Sequence, residues 1–366
     1  MKPSRTVSGP ATCLFRLSEF AAVATMLLLQ SADSLGSPGD PAGFSLRNID
    51  ERRGKDALMP SNTPTSATSA GPTPALTVVI AAVNGWDMLK STLDSLDAQP
   101  ERAKLEVVVV TTDGATLRRL RANLPQVKLV EVGERFSIPK LRFLGIEHAR
   151  GEIVAILEDH CEVGPSWADA IFAAHQRPSG AVGGPVENGQ GGLINWAVYF
   201  CEYSAYMAPL NEGESDDLPG NNIAYKRPHL WRHAHVLAEG KWESWLNDRL
   251  RADGVRLATT NRMTVRHIKR FRLASFLVQR FHFARSFAGM RRVDQSAWQR
   301  LLYGFGSAAL PVVLLGRIVL TVLRKRRHLG RFLASIPLLI VFLSVGALGE
   351  MVGYLFGPGA SLEHVE

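Results

Sequence analysis

With 366 residues, 46% of them apolar, the chain can bury one large core and still carry further segments. Its formal charge of +8 comes from Lys and Arg crowded into residues 262–331 beside apolar runs, a pattern of a membrane surface. With no recognition-helix, zinc-finger or aromatic RNA-binding signature, no nucleic-acid partner is expected. Cys13, Cys161 and Cys201 lack metal or disulfide spacing and point to a reducing compartment.

Residues 1–75 read as a disordered or mis-annotated N-terminal extension. Leu14 to Leu29 carries a short apolar patch, after Lys2, Arg5 and Arg16, that superficially resembles a secretory signal, but a membrane-proximal tail or a true start at Met59 is preferred. Ser31 to Pro74 has a linker composition of Ser, Thr, Pro, Gly and Ala.

From Leu76 the pattern changes. Thr77 to Ala81 predicts a β-branched strand, and Leu89, Leu93 and Leu96 mark one helix face after the Asn84-Gly85 turn. Glu106 to Val110 and Val127 to Val132 are further strands, separated by Leu117, Leu120 and Leu124 at helical spacing. Ser137 and Pro139 open a helix that Gly151 ends. This alternation predicts an α/β fold, a mostly parallel sheet with helices on both faces. The first turn, Ala81 to Trp86, has no Gly-x-Gly-x-x-Gly and no P-loop follows, so a nicotinamide or flavin enzyme is not expected.

Ile153 to Leu157 is a buried strand, and Glu158, Asp159 and His160 emerge at its carboxyl end, where open α/β sheets bind ligands. Glu158 and His160 alternate onto one side of an extended backbone, so both can reach one divalent cation. Gly220-Asn221-Asn222 offers a tight backbone and two amides. Trp242, Leu246 and Leu250 recur at helical spacing around Glu243. Beside these readings stand the bland ones: a solvated strand end, a surface turn, a glutamate on a helix dipole and a structural His267.

In their order along the chain these motifs resemble the inverting family 2 glycosyltransferases of the GT-A fold, over about residues 76–270. The resemblance implies a nucleotide-sugar donor. Asn84 looks like part of the first nucleotide-side loop, and Asp113-Gly114 matches a second-strand motif usually Asp-Asp-Gly-Ser, with Thr112 in place of the first Asp. Arg142 and Gly145 match Ala-Arg-Asn-x-Gly near the nucleotide, with Phe143 replacing the Asn. Glu158-Asp159-His160 stands where the family has the metal and diphosphate motif Asp-x-Asp, so Glu158, His160 and the later His267 are implied ligands of Mn²⁺ or Mg²⁺ and Asp159 a donor contact. Asn221 and Asn222 are the implied sugar or diphosphate contacts. Aligning Arg249-Leu250 with the family's Arg-Leu puts Glu243 at the catalytic Asp, with Glu239 and Asp248 as nearby decoys.

Beyond the catalytic segment, 271–300 reads as a basic amphipathic interfacial helix, 301–356 as membrane segments and 357–366 as a tail. Leu301 to Leu323 and Phe332 to Phe356 are each long enough to cross a bilayer. Basic residues precede the first run and fill the loop 324–331, so a simple hairpin conflicts with the positive-inside rule. The first run, with Gly304, Gly306, Pro311 and Arg317, is expected to be re-entrant or interfacial and the second to cross. The expectation is a cell-membrane enzyme with a cytosolic catalytic domain and a lipid-linked or polysaccharide acceptor. The rival reading is a catalytically degenerate, membrane-bound scaffold. The aromatic stretch Gly192 to Leu210 suits sugar stacking, lipid anchoring or core, core being the commoner use.

Overall fold

The computed structural model describes residues 74–365. The signal-like patch, the linker and Met59 lie outside the described residues. The chain opens with β1 (Leu76–Ala81), α1 (Trp86–Asp97), β2 (Leu105–Thr111), α2 (Gly114–Asn123), β3 (Lys128–Glu131), α3 (Ile138–Glu147) and β4 (Ile153–Glu158), as its apolar periodicity predicts. There follow β5 (Cys161–Val163), α4 (Trp167–His175), β6 (Ala181–Gly183), β7 (Val186–Asn188), α5 (Leu193–Tyr203), β8 (Gly213–Glu214) and β9 (Asn222–Lys226). Then come α6 (Arg227–His233), α7 (His235–Ala238), α8 (Glu243–Ala252), β10 (Leu257–Thr259) and β11 (Val265–His267). Four helices complete the chain: α9 (Leu273–Arg291), α10 (Ala297–Gly306), α11 (Leu310–Lys325) and α12 (Leu329–Phe356).

The large sheet has the order β3-β2-β1-β4-β9-β6-β10-β8. Its first four strands are parallel, β9 runs against both β4 and β6, and β10 is parallel to β6. The expected mostly parallel α/β architecture is the one observed. Every residue of β1 and β2 is buried, which is why both read as largely apolar runs, broken only by Thr77 in β1 and by Glu106 and Thr111 in β2. Two apolar clusters, one on each side of the sheet, take alternate residues of β1: Leu76, Val78 and Ile80 in one, Val79 and Ala81 in the other.

Three registers position the site. Ala81 pairs with Glu158, so the loop after β1 lies beside the turn after β4. Leu157 pairs with Asn222 across the antiparallel β9, which carries Asn221 to Glu158. In the small sheet β5-β11-β7, His267 pairs with Cys161, next to His160.

The C-terminal helices pack on this core. Alpha-helix α12 runs along α9, where Gly349 and Gly353 allow close approach: a Cβ at either would stand 2.4 or 2.5 Å from the carbonyl oxygens of Phe281 and Arg285. The aromatic stretch resolves largely into core, because Tyr199 and Phe200 of α5 are buried in a cluster with Phe332, Leu339 and Phe342. The arginines of α9 turn inward to ion pairs, Arg280 with Glu202 at 3.0 Å and Arg291 with Glu350 at 2.9 Å. Ala297–Lys325 and Leu329–Phe356 are both long and apolar enough to cross a membrane by length and composition. Cys161 and Cys201 are free and buried.

One core group makes a stability prediction. His175, at the end of α4, is 7% exposed, and burial first and Lys226 second push its pKa down from 6.5 to about 4. Between those values the unfolded chain binds the extra proton, so stability falls as pH drops from about 6.5 toward 4. The loss reaches up to about 3 kcal/mol. Urea midpoints across that range should fall in the parent and flatten in His175→Leu; equal slopes in both would refute the assignment.

Candidate active site

Asp159 organises the turn beyond β4. Its Oδ2 accepts the backbone N–H groups of Val83 and Asn84, each at 2.7 Å, and its Oδ1 accepts Asn84 Nδ2 at 2.9 Å. The same Oδ1 lies 2.7 Å from His160 Nδ1. These partners assign the proton to Nδ1 and turn Nε2 toward Glu158 Oε2, 3.3 Å away. Asp159 is 1% exposed with its oxygens so engaged, so it orients the loop and the imidazole. A direct donor contact, the role expected from the sequence, would have to displace these bonds.

His267 completes a cluster. Its ring stands edge-on to that of His160 with centroids 4.6 Å apart, and ligand atoms of Glu158, His160 and His267 all lie within 4.8 Å of one another. Burial raises the Glu158 pKa, but the hydrogen bond and charge of His160, then Arg142, outweigh it and hold the carboxyl well below its ordinary range. For His160 burial lowers the pKa and the bonds to Asp159 and Glu158 reverse it, leaving a net rise. Burial first, and the charge His160 carries when protonated, push His267 down to about 3, so it stays neutral with a lone pair to offer. One carboxylate oxygen and two imidazole nitrogens fit a divalent cation, and suit Mn²⁺ better than Mg²⁺. His267→Ala is expected to weaken Mn²⁺ binding roughly 100-fold or more, and Asp159→Asn roughly 10-fold or more through His160 alone. Titration with Mn²⁺ followed by EPR measures both; unchanged affinity in His267→Ala would remove it from the ligand set.

Arg142 joins this cluster to Glu243. It sits on the buried face of α3, its side chain 2% exposed, with Nη1 2.7 Å from Glu243 Oε2 and Nη2 3.1 Å from Glu158 Oε1. Its guanidinium carbon lies 5.9 Å from the centre of the Trp242 ring. Glu243 opens α8 and is 3% exposed. A Cβ at Gly220 would stand 2.8 Å from Glu243 Oε2, so bare backbone there is what lets the carboxylate reach Arg142. Asn221 Nδ2 donates to Glu158 Oε2 at 3.3 Å. Among the described residues, Glu243 Oε1, Asn221 Oδ1 and Trp242 Nε1 are buried without a hydrogen-bond partner. Buried polar atoms of this kind call for a partner, whether water, an ion or a ligand.

Asn84, Arg142, Glu158, Asp159, His160, Asn221, Glu243 and His267 thus converge on one cavity of about 150 Å³. Two expected residues do not. Asn222 is fully buried, accepting from Trp167 Nε1 at 2.9 Å and donating to the carbonyls of Pro185 and Met263 at 3.1 and 2.6 Å. It bolts β9 to its neighbours and does not line the cavity. Asp113 caps α2, accepting from Ala115 N at 3.0 Å, and from Thr116 N and Oγ1 at 3.1 and 2.6 Å, outside the cavity lining. Conversely, α9 forms a wall through Phe276, Gln279, Arg280, Phe283 and Phe287. The recurrence of 276, 280, 283 and 287 on one helix face was the available signal.

Residues 77–233 match the family model Glycosyl transferase family 2. They form a family 2 glycosyltransferase domain. Similar to part of it is polypeptide N-acetylgalactosaminyltransferase 12 of Mus musculus, 31% identical over 134 residues, or 34% of this chain and 23% of that protein. The Homo sapiens protein of the same name is 30% identical over 134 residues, 34% and 22% of the two chains. Polypeptide N-acetylgalactosaminyltransferase 15 of Homo sapiens is 24% identical over 173 residues, 40% and 27%. The chain therefore spans about a quarter of the length of these curated relatives. The solved structure of mannosyltransferase PcManGT from Pyrobaculum calidifontis in complex with GDP-Man and Mn²⁺ aligns with a TM-score of 0.49 at 20% identity, covering 76% of this chain and 88% of that one. The glycosyltransferase domain so matched contributes Asn84, Arg142, Glu158 and Asn221 to the cavity; Glu243, His267 and α9 come from beyond the matched residues.

Proposed function

We propose that the chain transfers a sugar from a nucleotide-sugar donor to a hydroxyl of a lipid-linked or polysaccharide acceptor, with inversion, at the cytosolic face of the cell membrane. The observation that carries this reading is Glu243: one oxygen is held by Arg142, the other is buried and unpartnered, and the Glu158, His160 and His267 cluster lines the same cavity. A divalent cation held by those three residues would supply charge neutralisation for a diphosphate leaving group.

The side chains have separate tasks. Glu243 Oε1 accepts the proton of the attacking hydroxyl, and Arg142 orients it through Oε2. Asn221 Oδ1 and Trp242 Nε1 supply an acceptor and a donor for sugar hydroxyls. Phe276, Phe283 and Phe287 of α9 close one side against water. Because α9 also packs on the apolar α12, an acceptor arriving from the bilayer surface reaches the cavity along that wall.

Release of nucleoside diphosphate from a panel of nucleotide sugars, with and without Mn²⁺, tests the proposal. Turnover of one donor with product of inverted configuration is the expected result. Retained configuration would overturn the inverting step, and no turnover of any donor by the folded, Mn²⁺-binding chain would leave a scaffold.

A further inference from the structure

We infer that the C-terminal helices dock in the plane of a single lipid leaflet, with neither of them crossing the bilayer. The inference rests on the membrane association proposed above and goes beyond it to the geometry of contact.

The decisive observation is where the helix ends lie. At the start of α12, Arg327 binds Glu187 Oε1 at 2.6 Å and the carbonyl of Ala208 at 2.9 Å, and the His328 ring stands 4.6 Å from that of Trp196. Past its other end, Val365 joins a buried cluster with Trp242 and Phe287, and a Cβ on Gly240 would meet Leu362 at 2.9 Å. Between these ends Phe276 of α9 contacts Phe342 with ring centroids 4.6 Å apart. A helix of 28 residues is about 42 Å long. Both of its ends and its middle rest on the glycosyltransferase core or on the α9 wall. A full crossing would separate the ends by a hydrocarbon layer about 30 Å thick and drag the polar core into it.

The layer formed by α10 and α11 is held at both ends. Near its start the Tyr303 ring lies tilted against Tyr354 of α12, centroids 5.6 Å apart, and at its end Lys325 donates to the carbonyls of Ala205 and Met207 of the core.

The outward face is apolar. Most of the large apolar side chains exposed in the described chain lie between Val293 and Phe356, among them Phe305, Val312, Leu320, Leu333 and Phe356; Val312 is 77% exposed. Only 22% of the most apolar stretch of Ala297–Lys325 is buried, and 44% of that of Leu329–Phe356. Exposed Arg324, Arg326 and Arg331 rim one end of this face. An apolar face with a cationic rim is complementary to an anionic leaflet, and helices satisfy their own backbone there.

The test uses the full chain, with Cys13→Ser, in sealed phosphatidylcholine–phosphatidylglycerol vesicles and a membrane-impermeant maleimide. Glu147→Cys on α3 gives the fraction of molecules with the catalytic core outside. Gly330→Cys, where a side chain meets nothing within 4 Å, reports the first turn of α12, and Glu363→Cys reports the segment after α12. In-plane docking gives equal labelling at all three positions before permeabilisation. Protection of Gly330→Cys alone would show a spanning hairpin and protection of Glu363→Cys alone a single crossing; either overturns the inference and spares membrane association. Flotation supplies the second reading: Val312→Glu with Leu333→Glu should lower vesicle partitioning roughly tenfold or more. Unchanged flotation of the variant overturns the docking face. A parent chain that never floats, or that buries the face as a dimer without lipid, overturns the membrane reading as well.

Discussion

Arg142→Met is expected to lower the unfolding free energy by about 3–5 kcal/mol, the usual result of removing one partner from a buried ionic cluster. Arg142 is the cation between two carboxylates that are themselves shielded from water, Glu243 at 2.7 Å and Glu158 at 3.1 Å. Burial disfavours its charge, but Glu243 and then Glu158 outweigh that and raise its pKa. Methionine keeps the bulk and removes the charge, leaving Glu243 without its cation and Glu158 with only His160 and Asn221 as partners. The diagnostic comparison is the double variant Arg142→Met with Glu243→Gln, which should recover part of the lost stability because one stranded charge is gone. Urea denaturation of parent, singles and double gives the coupling. Additive effects would mean that the two groups do not sense each other. Arg142→Lys should rescue little, since a single ammonium lacks the planar fork that reaches both partners.

Glu243→Gln is expected to cut kcat by about 10²–10⁴ with donor KM little changed, the range for loss of a positioned general base. Glutamine can still accept from Arg142, so the cavity keeps its shape while the proton acceptor is lost. Nucleoside diphosphate release under saturating donor and acceptor measures it, and a urea midpoint confirms the fold. Glu243→Asp should retain more activity than the glutamine variant, because a carboxylate remains. If the glutamine variant turns over like the parent, Glu243 is a structural partner of Arg142 and the base lies elsewhere.

What the linear chain disclosed, and what it hid, follow from the range over which each feature is determined. Strands β1, β2 and β4 were legible because burial on both faces favours mostly apolar runs rich in Val and Ile. The cluster of Glu158, His160 and His267 was legible as residue types; its closure depends on the register of His267 with Cys161. Asn221 and Asn222 were indistinguishable by composition, yet successive residues entering a strand face opposite ways, so one meets the cavity and the other the core. Asp113 was ambiguous because a helix N-cap, the role seen in its bonds to Ala115 and Thr116, and a ligand-facing aspartate use the same residue type after a strand. The wall from α9 was hidden for a different reason. Its arginines suggested a polar outer face, whereas Arg280 and Arg291 find Glu202 and Glu350 in the interior.

Alpha-helix α9 has the cavity on one face and the apolar α12 on the other, so the reaction vessel and its anchorage share one mechanical part. With the leaflet docking inferred above, solubilising the chain is a kinetic perturbation and not merely a change of container. A detergent that lets α12 shift by an ångström relocates Phe283 and Phe287 with it, and acceptor saturation would register that before protein unfolding does.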